Sequence, residues 1–99
     1  MRYLVTVCAI PERADAIDAK GGPGPVFAYI AQRFKPEAFY GNPTRRQAIL
    51  IVDLPAESDI AELMYNLAWL AGADPEFTPI MSPDLYMKAI ENAKRAPTI

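Results

Sequence analysis

The side chains best equipped for chemistry in this 99-residue chain are two adjacent guanidiniums, Arg45 and Arg46, and a set of aromatic residues. A guanidinium grips a carboxylate through two parallel N–H donors. Arg45 and Arg46 follow the turn signal Gly41-Asn42-Pro43-Thr44 and offer an anion clamp beside it. The competing account is a solvated hairpin tip, or an ion pair with a partner subunit. The aromatic set is Tyr3, Phe27, Tyr29, Tyr40, Tyr65, Trp69 and Tyr86. Tyr65 and Trp69 have i, i+4 spacing and share one helical face. They suit a ligand pocket with an apolar wall and phenol hydrogen bonds. The competing account is a core edge or a dimer interface, where Tyr and Trp are enriched. Tyr40, Arg45, Tyr65 and Trp69 are therefore the expected lining residues of a small-molecule site, and no catalytic residue is assigned.

Other chemistries find little support. The chain has one cysteine, Cys8, and no histidine. An intrachain disulfide is impossible, and a nucleophilic Cys8 would lack its usual imidazole partner. Cys8 lies in an apolar run and reads as a small buried core residue. No metal site is expected, because only scattered carboxylates remain as ligands. Glu57, Asp59 and Glu62 do cluster, but around a helix start, where acids favour the dipole. Residues 21–25, Gly-Gly-Pro-Gly-Pro, lack the Lys-Ser/Thr of a phosphate loop and read as a break or a mobile flap over a cleft. No cofactor is expected. Asn42-Pro43-Thr44 is no glycosylation acceptor, since proline occupies its middle position.

Composition narrows the class further. The chain is 52% hydrophobic and 22% charged, with a formal charge of −2 and no basic block. Nucleic-acid binding needs a larger electrostatic footprint. No apolar run reaches the ~18 residues of a membrane span. Nothing resembles a signal peptide, so the expected location is cytoplasmic.

The elements that must position these residues follow from period and punctuation. Residues 2–10 read as a strand rich in Val, Tyr and Thr, ended by Pro11. Residues 12–20 and 26–34 read as one helical region in two pieces around the Gly/Pro break. Residues 37–40 and 47–53 form a hairpin across the turn. Ser58 is a plausible cap for a helix carrying Ile60, Leu63, Met64 and Leu67, with Gly72 as its stop. Residues 77–81 read as a fourth strand, which Pro79 assigns to an edge or a bulge. Ser82-Pro83-Asp84 starts a last helix running to about residue 96.

The order is strand, helix, strand, strand, helix, strand, with a helix appended: the split βαβ, or ferredoxin-like, order. Residues 1–99 make one α+β domain with a four-stranded antiparallel sheet. The third strand holds five apolar residues in succession, Ala48 to Val52. Successive strand side chains point to opposite faces, so this strand is apolar on both. Helices cover one face; a second copy of the chain is the expected cover for the other.

The chain resembles the dimeric α/β-barrel superfamily, and within it the small muconolactone-isomerase-like proteins and their uncharacterised relatives. The matching segments are Tyr3-Leu4-Val5-Thr6-Val7, Arg33-Phe34-Lys35-Pro36-Glu37-Ala38, Ala61-Glu62-Leu63-Met64 and Phe77-Thr78-Pro79-Ile80-Met81. The resemblance implies two ferredoxin-like subunits packed sheet to sheet. Haem-binding members use a histidine ligand, which this chain lacks. Cofactor-free oxygenases of this fold use polar side chains in the cleft between sheet and helices, and no residue set here matches theirs.

The expectation is a homodimer, or a higher even oligomer, built through the sheet face. Each subunit would bind a small apolar or aromatic molecule, carboxylate-bearing in one form, between the sheet and the first helical region. Isomerase-like or cofactor-free oxygenase-like chemistry is conceivable, and whether the protein is an enzyme stays open. The alternative is a non-catalytic oligomeric assembly or interaction protein with no small-molecule site, in which the aromatic residues serve subunit contacts.

Overall fold

Proline and glycine cut the chain into short elements, and apolar alternation stacks them. The computed structural model describes residues 1–98. It runs β1 (Arg2–Ala9), α1 (Pro11–Asp18), α2 (Gly24–Phe34), β2 (Ala38–Asn42), β3 (Gln47–Asp53), α3 (Glu57–Tyr65), a π-helical turn (Asn66–Leu70), β4 (Ala73–Ile80) and α4 (Pro83–Ala93). The four strands form one antiparallel sheet in the order β2-β3-β1-β4. The two most apolar strands, β1 and β3, are central. The proline-bearing β4 is an edge, as Pro79 requires.

Alternation sorts the side chains. Val5 and Val7 of β1 and Leu50 and Val52 of β3 are buried against Ile30 and Phe34 of α2 and Leu63 and Leu67 of the α3 arm. Their neighbours Leu4, Thr6, Ile49 and Ile51 face the other way and are only half-buried. The two-sided apolar reading of β3 therefore holds, and the single chain covers one side.

Several expectations need correction. Cys8 is exposed, not part of the core. It shares the uncovered face with Leu4 and Thr6, where Gln47 Nε2 approaches its sulfur at 3.5 Å. Ser58 does not cap α3. The cap is Ala56 and the helix starts two residues earlier than a Ser58 cap implies, with the Asp59 carboxylate accepting the Ala56 N–H at 3.1 Å. β4 begins at Ala73, four residues before the expected start at Phe77, because ladder pairing with β1 (Ala9 with Ala73, Val7 with Pro75) overrides the poor strand propensity of Asp74 and Pro75. The second strand continues through Asn42, moving the turn to residues 43–46. Ser82 does cap α4, accepting the Leu85 N–H at 3.4 Å. That helix stops at Ala93, short of residue 96. Residues 21 and 22 make the expected break. They close α1 with bonds from the Gly21 and Gly22 N–H groups to the Asp18 and Ile17 carbonyls.

The π-helical turn was not legible in the periodicity. It ends at Gly72, whose φ of +65° lies in the left-handed region. The Gly72 carbonyl accepts the Ile10 N–H at 3.0 Å, tying the turn to the end of β1. A Cβ there would lie 2.7 Å from Ile17 Cδ1 and 3.1 Å from the Arg13 carbonyl carbon. Gly72→Ala should therefore cost about 2 kcal/mol. The measurement is a lower urea midpoint with an unchanged m-value. Gly24→Ala, with open space around the added carbon, should leave the midpoint unchanged or raise it.

Candidate functional site

Where β1 ends and β4 begins, small side chains leave a gap between the sheet and the first helices. Five alanines line it: Ala9, Ala14, Ala48, Ala71 and Ala73. Each stands where a larger apolar residue would close the core, and together they leave a cavity of about 330 Å³. That lies at the small end of the ligand-site range, roughly 300–1,000 Å³. Val7 contributes to the buried part of the lining, and Pro23 enters from the α1–α2 loop. Phe27 of α2 and Phe39 of β2 form an aromatic wall, edge to face, with ring centroids 5.7 Å apart. Gly41, Arg45 and Arg46 are exposed and mark the mouth.

Asn42 builds that mouth. Its Oδ1 accepts the Thr44 N–H at 3.1 Å and the Thr44 hydroxyl at 2.8 Å, closing an Asx turn. Its Nδ2 donates to Gln47 Oε1 at 3.2 Å. The Arg46 carbonyl accepts the Ala9 N–H at 2.8 Å, which fixes the turn against β1.

The two arginines then diverge. The Arg46 guanidinium spans Asp15 (2.8 Å) and Asp18 (2.9 Å), one helical turn apart on α1. It holds α1 over the hairpin, and its two carboxylates exceed its own charge by one. Arg45 has no carboxylate within ion-pair reach among the described residues. Its positive charge stands free beside an apolar cavity, the arrangement a carboxylate-bearing apolar ligand would complement.

Of the four expected lining residues, the cavity gathers Arg45 alone. Tyr40 is 68% exposed and lies on the far face of the sheet, because its neighbour Phe39 takes the inward position. Tyr65 and Trp69 pack on each other, ring centroids 4.5 Å apart, on the outer surface of the α3 arm. Their shared face is as expected, but Trp69 is 68% exposed and does not line the alanine cavity. Beside them, Pro25, Val26, Tyr29, Asn66 and Leu70 line a shallow groove between α2 and the π-helical turn. Sequence reasoning missed the alanines, which carry no signal of their own. Phe27 was visible in the α2 stripe.

The cavity lining holds no Asp, Glu, Tyr, Lys or Cys. Its only charged side chains are Arg45 and Arg46. On the sheet's far face, Arg2 reaches over β3 to Glu37 with bonds of 2.8 and 2.7 Å. The Glu37 carboxylate, by hydrogen bond first and charge second, holds the Arg2 pKa above its ordinary value. No helix among the described residues is long and apolar enough to cross a membrane. No family model matches the chain, and no curated protein shows significant similarity to it.

If the cavity is free space, Ala48→Leu should fill part of it without displacing neighbours. The thermal midpoint should stay level or rise, because the added methylenes are buried in a void. A destabilisation beyond about 1 kcal/mol, typical of overpacking, would show the space to be unavailable.

Proposed function

We propose that this protein is a sheet-to-sheet homodimer of the ferredoxin-like kind that binds one small aromatic or apolar carboxylate per subunit in the alanine-lined cavity. The strand order β2-β3-β1-β4, with α2 and α3 on one face, supports the architecture. The uncovered face supports the assembly. Leu4, Ile51 and Ala38 form one apolar row across it, and the next row reads Tyr40, Ile49, Thr6 and Glu76. Arg2, Glu37 and Asp53 border it at one end, and Asn42, Gln47 and Asp74 at the other. An apolar patch with a polar rim is the usual anatomy of a protein interface.

The observation that carries the ligand reading is the unpaired Arg45 guanidinium at the mouth of an otherwise apolar cavity. The lining favours binding over turnover. Isomerase-like or cofactor-free oxygenase-like proton transfer needs a group that takes up a proton, and the lining carries no carboxylate, phenol, amine or thiol. The rival reading, an assembly or interaction protein with no small-molecule site, draws its support from the uncovered face alone.

Benzoate and benzyl alcohol, a matched charged and neutral pair, test the ligand reading by calorimetric or NMR titration. Benzoate should bind the wild-type protein more tightly. Arg45→Gln should weaken benzoate about tenfold and leave benzyl alcohol unchanged. Equal benzoate affinity in both proteins, or no binding to either, would remove the proposed site.

A further inference from the structure

Gly41 sits where the fold gives a glycine no work. Among the described residues it is the only glycine inside a strand. A strand glycine loses backbone entropy and contributes no side chain to packing. Three structural features justify one: a bulge, a bend with left-handed φ, or another backbone pressing close. None holds here. β2 pairs with β3 residue for residue, from Ala38 opposite Ile51 to Asn42 opposite Gln47, without a bulge. The φ of Gly41 is not positive, unlike those of Gly21, Gly22 and Gly72. A Cβ built on Gly41 would meet nothing within 4 Å. The remaining occasion for bare backbone in a strand is the close approach of a ligand.

The surroundings of Gly41 point the same way. Phe39 faces inward and Tyr40 outward, so alternation turns Gly41 inward, onto the cavity lining. The inward row it belongs to reads Gly41, Ala48 and Val7 across three strands. The inward row beside it reads Phe39, Leu50 and Val5. Side chains shrink from one row to the next, and the step leaves a shelf of near-bare sheet. Phe39 stands at its edge, two residues away along the strand, or about 6.6 Å. Aromatic rings attract one another at centroid separations of roughly 4.5–7 Å. A ring resting on Gly41 is thus in range of Phe39, which already packs edge to face with Phe27. Arg45 lies just beyond the end of β2, at the mouth.

We propose that Gly41 is the specificity-determining position of this cavity. Its missing side chain lets a flat ring lie on the strand backbone beside Phe39, with the carboxylate toward Arg45. The inference rests on the ligand reading above and adds which carboxylates the site takes: planar aromatic ones in preference to saturated rings of equal size. The axial hydrogens of a saturated ring would hold its carbon skeleton off the shelf.

NMR titration of benzoate and cyclohexanecarboxylate into the wild type, Gly41→Ala and Gly41→Val tests this. The wild type should bind benzoate at least about threefold more tightly than cyclohexanecarboxylate. Gly41→Val should weaken benzoate at least about tenfold, and Gly41→Ala about threefold. Neither should lower the thermal midpoint, because the added carbons enter open space and suit a strand. Wild-type benzoate affinity in a folded Gly41→Val, or equal wild-type affinity for the two acids, overturns the inference, while the Arg45→Gln result still upholds the ligand reading. If Gly41→Val does not fold, Gly41→Ala decides: undiminished benzoate binding, or a lowered midpoint that gives the glycine a structural role, overturns it. A wild type that binds no benzoate overturns the ligand reading, and this inference with it.

Discussion

The structure depends on a strand that no water-facing position can accommodate. β3 runs Ala48-Ile49-Leu50-Ile51-Val52, so each of its faces presents branched hydrocarbon. One face solves its problem within the chain: Leu50 and Val52 reach 0% exposure under α2 and α3. The other repeats the problem outward with Ile49 and Ile51, and β1 repeats it again with Leu4. Each half-covered aliphatic side chain forgoes roughly 1–2 kcal/mol of transfer free energy. The central pairing thus builds the domain and leaves its second apolar face half-covered within the chain.

Much of this was legible because it rests on period and punctuation. The limits of β3 were read without error, since five apolar residues between Arg46 and Asp53 admit one interpretation. Pro79 placed β4 at an edge, and Ser82-Pro83 placed the start of α4. What failed was whatever depends on non-local partners. The first half of β4 exists only because β1 is there to pair with it. The cap of α3 belongs to Ala56 because a carboxylate three residues on reaches back. Cys8 looked like core because its neighbours are apolar, and alternation put it on the side the chain does not cover.

The site was legible in outline only. The cleft between the sheet and the first helical region was expected, and a cavity lies there. Its lining was not readable, because a cavity is a volume that side chains fail to fill. The five alanines come from β1, α1, β3, the residue after the π-helical turn and β4, and no linear pattern joins them. Tyr40 shows how fine the margin is. It and Phe39 are adjacent aromatics on an edge strand, and one residue of register decides which joins the wall.

The two arginines show how identical side chains acquire different roles. Both follow the Asn42 turn and neither is buried. Arg46 lies within reach of two carboxylates on one face of α1, and its fork geometry fits both. Such exposed pairs contribute little stability, since solvent screens them. Their effect is positional: they hold α1 above the hairpin and so keep the cavity roofed by Ala14. Arg45 makes no such pair, so its guanidinium donors stay unengaged at the edge of a hydrocarbon-lined space, while the two cations and two carboxylates of this corner balance in net charge.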